Sequence, residues 1–218
     1  MKNEDIHVVL TLIRHNIKPW PFPFLERLVA KRPDPFLVLI GCILSLRTKD
    51  KVTEEACNRL FTLADNPASM SNLSCREIEK AIYPVGFFRN KARQIIRCCR
   101  KISQDFKDRL PETIEELMRL DGVGRKTANL VLTLGFGKPG ICVDTHVHRI
   151  VNRLSYVNTT NPIETEMALR KKIPVQYWMH LNKWLVTFGQ NQCLPISPRC
   201  TTCLINQSCQ KVGVHKFR

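Results

Sequence analysis

Apolar residues recur at helical spacing along most of the chain. Those at positions 6, 9, 10, 13 and 17 would share one helix face, which predicts an amphipathic helix over Ile6–Ile17. The longest apolar run, Phe36–Leu46, predicts a buried helix, because a membrane span takes roughly 20 residues. No segment alternates as a half-buried strand, so we expect an all-α fold. The further predicted helices cover residues 50–63, 74–85, 89–105, 113–120, 125–134, 145–154, 162–172 and 177–189.

Proline, glycine and short polar residues predict where these helices begin and end. The Pro-rich segment 19–23 ends the first helix. Asp50 or Thr53 is expected to cap the predicted helix of residues 50–63, and Gly86 is expected to close the helix that begins at Ser74. The composition changes at Gly189, after which four cysteines and several polar residues follow without helical periodicity.

The charge balance points to a polyanionic partner. The 218 residues include 34 Lys and Arg but only 19 Asp and Glu, a net charge of +15. Nucleic acid is the simplest such partner, and a membrane surface is the rival. Residues 1–5 carry two acids and lead into no secretory segment. We therefore expect the ten cysteines to lie in a reducing, intracellular compartment rather than in a disulfide scaffold.

A glycine turn between two predicted helices is the first candidate site. In Leu120–Asn129, Gly122 and Gly124 allow a tight turn whose N–H groups could bind a phosphate, although an ordinary interhelical turn would look the same. Lys126 then stands at a helix N-terminus, where the helix dipole disfavours a cation. Its amine is either a nucleophile favoured in its neutral form or a phosphate contact, and the local sequence fits both.

The turn and the motif Val143-Asp144-Thr145-His146 together resemble the helix-hairpin-helix and catalytic loop of the endonuclease III family of DNA glycosylases. The resemblance runs from the Pro-rich segment to the last cysteine. It implies an all-α, two-lobed helix-hairpin-helix glycosylase fold with a C-terminal iron–sulfur cluster loop. The expected domains are residues 22–137, a helical bundle with the hairpin, and residues 1–21 plus 138–218, which carry the loop.

The resemblance also assigns roles to single residues. Lys126 matches the nucleophile that attacks C1′ of a flipped nucleotide and forms a Schiff base. Asp144 matches the family aspartate that stabilises positive charge on the sugar; it also fits the N-cap of the helix that follows, and both roles can hold together. The residues of the hairpin expected to contact DNA are Gly122, Gly124, Arg125 and Thr127.

Four cysteines near the C-terminus form a candidate metal site. Cys193-x6-Cys200-x2-Cys203-x5-Cys209 places four soft ligands within 17 residues, a set that can hold zinc or a 4Fe–4S cluster. Disulfides are the alternative. The spacing resembles the cluster loop of the endonuclease III family, which implies a 4Fe–4S cluster.

Two further segments are candidate DNA contacts. Arg89, Arg93, Arg97 and Arg100 recur on one helix face, which is either a polyanion-binding stripe or a solvated surface. Residues 85–91 resemble the family loop that inserts an apolar side chain into the duplex, with Phe87 as the wedge or as a core residue. Arg89 and Lys91 are the expected neighbouring contacts. Arg47 stands where many members have glutamine, which leaves the opposite-base preference open.

The sequence therefore predicts a bifunctional DNA glycosylase with abasic-site lyase activity, acting on damaged pyrimidines in duplex DNA. We expect a monomer, in the cytoplasm or nucleoid if the source is bacterial or archaeal. A uracil or thymine mismatch glycosylase of the same superfamily is one alternative. A non-catalytic binder of DNA structures, using the hairpin and the basic stripe alone, is another.

Overall fold

The computed structural model describes residues 3–218. Met1 and Lys2, part of the N-terminal segment for which no secretory signal is expected, lie outside the described residues. The regular secondary structure in the described range is all helical, without a strand, as the hydrophobic pattern predicts, and no helix follows Asn191. The chain separates into two compact units. The continuous unit is Phe24–Lys138. The terminal unit combines the chain up to Pro23 with Pro139–Arg218.

The continuous unit is built around one fully apolar helix. Its helices are α2 (Phe24–Lys31), α3 (Pro35–Ser45), α4 (Asp50–Leu63), α5 (Pro67–Ser71), α6 (Cys75–Ile82), α7 (Phe88–Phe106), α8 (Ile114–Leu117) and α9 (Arg125–Leu130), which continues as a π-helical turn, Val131–Gly135. Residues 36–44 of α3 are all buried, so this helix is covered by its neighbours on every side. Asp34 Oδ1 caps it by accepting from Phe36 N at 2.9 Å and Leu37 N at 3.3 Å.

The terminal unit joins the two ends of the chain through a shared core. Its helices are α1 (Asn3–Asn16), α10 (Thr145–Arg153), α11 (Pro162–Lys172) and α12 (Trp178–Asn191), which follows a 3₁₀ turn, Val175–Tyr177. The apolar residues predicted on one face of α1 are each at most 1% exposed. They pack in one cluster with Val147, Ile150 and Val151 of α10 and with Leu185 and Phe188 of α12.

Two short helices, α2 and α5, were missing from the sequence prediction. The N-cap of α5 carries the expected local signal, since Asn66 accepts from Ser69 N and Pro67 is the first helical residue. The N-terminus of α2 is stabilised at long range instead. Asp50 Oδ2 accepts from Phe24 N at 3.1 Å.

The prediction that Asp50 or Thr53 caps α4 is therefore wrong. The cap position is Lys49, and no side chain there bonds the first amides of the helix. Helix α6 also ends three residues before the predicted Val85, because Pro84 follows Tyr83 and cannot continue a helix. No helix in residues 3–218 is both long and apolar enough to cross a membrane.

Candidate functional site

The glycine turn between α8 and α9 is packed against the long helix α7. Gly122 has a φ of +74°, a left-handed conformation that glycine adopts without strain. An ideal Cβ at this position would lie 1.6 Å from Nε2 of Gln94, so a larger residue fits only if the Gln94 side chain moves. Gln94 Nε2 also donates to the carbonyl oxygen of Asp121 at 3.4 Å. The tip of the hairpin is thereby fixed to α7.

Helix α9 begins without a capping side chain. Gly124 occupies the N-cap position in an extended conformation, and a Cβ there would meet no atom within 4 Å. The backbone at this point is therefore open to close approach by a ligand. Thr127, expected as a DNA contact, is largely buried, with 7% of its surface exposed. Its backbone N–H on the first turn of α9 is a candidate contact.

Lys126 lies on the first turn of α9 with an exposed side chain. Behind it is the apolar helix α3. Burial raises the pKa of the Cys42 thiol on α3 to about 12, and the Lys126 ammonium lies near enough to oppose part of that rise. The amine is therefore accessible to a substrate and stands beside an apolar wall.

Asp144 caps α10, as its sequence position allows. Its Oδ1 accepts from His146 N and Val147 N, both at 2.9 Å. The preceding loop is held by α12, since Asn182 Nδ2 donates to the carbonyl oxygen of Cys142 at 3.1 Å. Because both amides bond Oδ1, Oδ2 takes no part in the cap. Asp144 belongs to the terminal unit and Lys126 to the continuous unit.

The four cysteines proposed as ligands line one pocket of the terminal unit. The pocket contains about 400 Å³ of space, part of it open to solvent, and Leu154, Phe188 and Ile205 form apolar walls. Every cysteine is a free thiol. Across residues 3–218, no three His, Cys, Asp or Glu side chains converge closely enough to hold a single metal ion as they stand. The proposed ligands are Cys193, Cys200, Cys203 and Cys209.

The pocket is unfavourable for thiolates unless positive charge is brought in. Burial, together with a smaller effect of the neighbouring thiols, raises the pKa of the Cys203 thiol to about 11. Burial also raises the pKa of Cys200 and of Cys209. A cationic metal centre would offset both the burial and the mutual repulsion. The donor set, sulfur alone, fits a soft metal centre.

Two arginines of α10 hold the start of this cysteine segment. Arg153 is 9% exposed and donates from Nη1 to Cys193 Sγ at 3.3 Å and to the carbonyl oxygen of Leu194 at 2.7 Å. Arg149 Nη2 donates to the carbonyl oxygens of Gly189 at 3.1 Å and Cys193 at 2.8 Å. The sequence analysis missed both arginines. Their i, i+4 spacing among the apolar positions of α10 was the available signal.

The predicted wedge segment stands beside the Arg47 turn. Phe87 is 60% exposed, and the Arg47 guanidinium lies 5.7 Å from the centroid of its ring. Arg89 is exposed and covers the Phe88 ring at 5.4 Å. Lys91 departs from the expectation of a DNA contact. It is 5% exposed, and its ammonium donates to oxygen atoms of the protein rather than facing a phosphate.

Helix α7 presents the predicted arginine stripe. Arg93, Arg97 and Arg100 are exposed on it. Arg97 forms an ion pair with Asp121 of the hairpin, so part of its charge is already balanced. The stripe and the hairpin therefore lie next to each other within the continuous unit.

The sequence profile of the HhH-GPD superfamily, base excision DNA repair proteins, matches residues 40–175. The chain belongs to this superfamily. It is 43% identical to endonuclease III of Thermotoga maritima over 180 residues, which is 83% of this chain and 84% of that protein. It is 36% identical to the Haemophilus influenzae endonuclease III over 209 residues, 96% of each.

A solved structure shows the same similarity in three dimensions. The structure of a trapped covalent intermediate of endonuclease III with DNA, the estranged-adenine complex, matches with a TM-score of 0.86. The sequences are 32% identical, and the match covers 97% of each chain. The family and the all-helical endonuclease III fold expected from the sequence are confirmed.

Proposed function

We propose that this chain is a bifunctional DNA glycosylase and abasic-site lyase of base excision repair. It removes oxidised or otherwise damaged pyrimidines from duplex DNA and cleaves the strand at the abasic site. The observation that carries the proposal is an exposed lysine on the first turn of α9, directly after the Gly122–Gly124 turn, in a close relative of endonuclease III. It works as a monomer inside the cell, in the cytoplasm or nucleoid if the source is bacterial or archaeal.

Lys126 is the proposed nucleophile. Its neutral amine gives an electron pair to C1′ of a flipped nucleotide, and the bond from C1′ to the base breaks, with the base taking the bonding electrons and a proton. Opening of the sugar ring then yields a Schiff base between Lys126 and C1′. Loss of a C2′ proton expels the 3′ phosphate by β-elimination, which cuts the strand. The open backbone at Gly124 is suited to the phosphate of the same strand.

Asp144 is the proposed electrostatic partner. As the base leaves, positive charge develops on the sugar, and a nearby carboxylate stabilises it. The cap holds Oδ1 rigidly between two amides, which leaves Oδ2 to face the sugar.

A 4Fe–4S cluster is the proposed resident of the cysteine pocket. Four sulfur donors, apolar walls and the Arg153 cation beside Cys193 fit a cluster with four thiolate ligands. With a cysteine for every iron the centre would be structural. It would order a segment that has few apolar side chains of its own.

Borohydride trapping tests the proposal directly. Borohydride reduces a Schiff base to a permanent link, so the wild type should become attached to a duplex with one abasic site. Lys126→Ala should give no adduct, whereas Lys80→Ala, at an exposed lysine on α6, should trap like the wild type. A wild type that binds DNA and gives no adduct would overturn the bifunctional mechanism. A Lys126→Ala variant that still forms an adduct would place the nucleophile elsewhere.

A substrate panel then separates the lesion classes. Duplexes with oxidised pyrimidines, uracil or thymine, each opposite guanine or adenine, distinguish damaged-base excision from mismatch repair. We expect excision of the oxidised pyrimidines, with intact thymine opposite guanine left unprocessed. Preference for the mismatched thymine would favour the mismatch glycosylase instead.

A further inference from the structure

Two exposed residues at the tips of neighbouring turns share an unusual backbone conformation. Arg47 has a φ of 53° and Phe87 a φ of 60°, both in the left-handed region that non-glycine residues rarely adopt. The Arg47 guanidinium lies over the Phe87 ring. Strain of this kind persists only where the surrounding structure over-determines it, so something must hold both tips.

The ammonium of Lys91 holds the first of these turns. Lys91 lies on the first turn of α7, and its side chain reaches the turn after α3. The ammonium donates to the carbonyl oxygen of Leu44 at 2.8 Å and to that of Leu46 at 2.6 Å. A third contact joins it to Thr48 Oγ1 at 3.3 Å. These partners lie on both sides of Arg47.

The second turn is attached to the first through Gly86 and Thr48. Gly86 N donates to Thr48 Oγ1 at 3.2 Å. A Cβ at position 86 would lie 2.8 Å from the carbonyl oxygen of Arg47, so the two backbones touch at this point. The Lys91 backbone N–H bonds the carbonyl oxygen of Phe87 at 3.0 Å. One lysine thus connects the backbones that carry Arg47 and Phe87.

This use of a lysine is costly for the fold. The side chain is almost wholly buried, and its bonds all go to neutral oxygens, without a carboxylate to balance the charge. Burial lowers the pKa of Lys91 to about 8. A lysine chosen for stability alone would keep its charge at the surface. The arrangement is therefore better explained by what it positions.

We propose that Lys91 is a positioning residue for base extraction, because it joins the turns of Arg47 and Phe87 into one preassembled unit that enters the duplex. The inference rests on the proposed function. Phe87 fills the gap that the extracted nucleotide leaves, and Arg47 meets the base left behind on the other strand. Lys91 itself touches neither DNA nor the reacting atoms.

A positioning role for Lys91 affects the extraction of a base and leaves the chemistry at C1′ largely unchanged. A damaged base must be unstacked before Lys126 can reach it, whereas an abasic site has no base to unstack and is extruded at lower cost. Loss of Lys91 should therefore slow excision of a damaged base much more than trapping at a preformed abasic site. A lysine needed only for folding would lower both in the same proportion.

The test combines a graded set of variants with a direct readout of insertion. Lys91→Met keeps the aliphatic stem and removes the ammonium. Thr48→Val removes the hydroxyl that joins the two turns, and Thr48→Ser keeps it. Lys80→Met on α6 is the matched surface control. Each variant is mixed with a duplex that carries 2-aminopurine opposite the lesion, because the fluorescence of 2-aminopurine rises when this base is unstacked. Single-turnover rates are measured for excision and for abasic-site trapping.

We expect Lys91→Met to lose the fluorescence rise and to slow excision roughly tenfold or more, with trapping reduced about twofold at most. Thr48→Val should follow in the same direction, and Thr48→Ser and Lys80→Met should match the wild type. Excision and trapping that fall in equal proportion, or an unchanged fluorescence rise in both Lys91→Met and Thr48→Val, would overturn the inference. Absence of trapping in the wild type would instead refute the proposed function, and the fluorescence would still decide the role of Lys91.

Discussion

Gly122 and Gln94 lie so close together that a side chain at position 122 fits only if the Gln94 amide moves away. A Cβ on Gly122 would lie 1.6 Å from Nε2 of Gln94, and the glycine also has a φ of +74°. The requirement for glycine at this position is therefore double: one part is backbone conformation, and the other is the glutamine of α7. The second glycine of the turn, Gly124, faces open space.

Gly122→Ala should therefore destabilise the protein by about 1–2 kcal/mol, mainly from left-handed strain and in smaller part from displacing the Gln94 side chain. Denaturant unfolding measures the loss. Gln94→Ala in the same chain should recover only the smaller part, because the overlap disappears and the strain remains. Gly124→Ala is the comparison without left-handed strain or overlap, and it should cost less, about 0.5 kcal/mol, because alanine is a poorer N-cap than glycine. Equal losses for both glycines would contradict the packing explanation.

The regular part of the fold could be predicted from the sequence because each signal is local. The regularly spaced apolar residues of α1 and the apolar run of α3 are buried in the structure, as their patterns predict. The start of α2 could not be predicted in this way, since its capping carboxylate, Asp50, lies 26 residues further along the chain. Long-range caps of this kind leave no pattern in the segment that they stabilise.

The candidate site divides along the same line. The hairpin glycines, Lys126 and the cysteine spacing are contiguous motifs and were recognisable as such. The partners that position them were not recognisable, because Gln94 and Arg153 reach their targets only in three dimensions. The inward orientation of Lys91, which the sequence analysis expected to contact DNA, could not be predicted for the same reason. In the sequence Lys91 is one more cation in a basic segment, and only the structure shows its ammonium turned inward.

Asp144 offers a separation of cap from chemistry. Asparagine caps helices about as well as aspartate, so Asp144→Asn should keep stability within about 0.5 kcal/mol of the wild type. It removes the negative charge, and we expect excision to slow by roughly 100-fold or more. Asp144→Ala should lose about 1 kcal/mol of stability in addition. Thermal unfolding and single-turnover excision, measured on the same preparations, check both parts.

The Asp144 prediction can fail in two distinct ways. Excision by Asp144→Asn at the wild-type rate would mean that the residue serves as a cap only. A large loss of stability in Asp144→Asn would mean that the charge, rather than the capping geometry, supports α10.

The cysteine pocket predicts that metal binding depends on four cysteines and not on the other cysteines of the chain. Cys203→Ser should lose most of the bound iron and acid-labile sulfide, because serine is a poor ligand for a cluster. Cys75→Ser, at a partly exposed thiol on α6, should retain both. Metal analysis of the purified proteins decides the outcome. Zinc without sulfide in the wild type would favour a zinc site, and iron retained equally in the two variants would exclude Cys203 as a ligand.

Arg153 should matter to the same pocket through its contact with Cys193. Arg153→Met removes the cation and leaves the carbonyl oxygens of Leu194 and Pro195 without their donors. We expect a loss of stability of about 3 kcal/mol, together with faster release of iron to a chelator. Arg76→Met, at an exposed position on α6, is the control away from the pocket and should release iron at the wild-type rate. Identical release from both variants would show that Arg153 supports the fold alone.

The arginine stripe on α7 predicts an unequal dependence of DNA affinity on salt. Each cation that neutralises a phosphate contributes about 0.9 to the slope of log K against log salt concentration. Arg100→Ala should lower the slope by about that amount, and Arg97→Ala by less, because Asp121 already balances part of the charge of Arg97. Asp121→Ala should steepen the slope by releasing Arg97. Asp105→Ala removes an exposed acid elsewhere on α7 and should change affinity without releasing an arginine.

Titrations at several salt concentrations measure all four slopes. If Arg97→Ala and Arg100→Ala lower the slope equally, the pair with Asp121 does not persist on DNA; if neither lowers it, α7 does not face the phosphates.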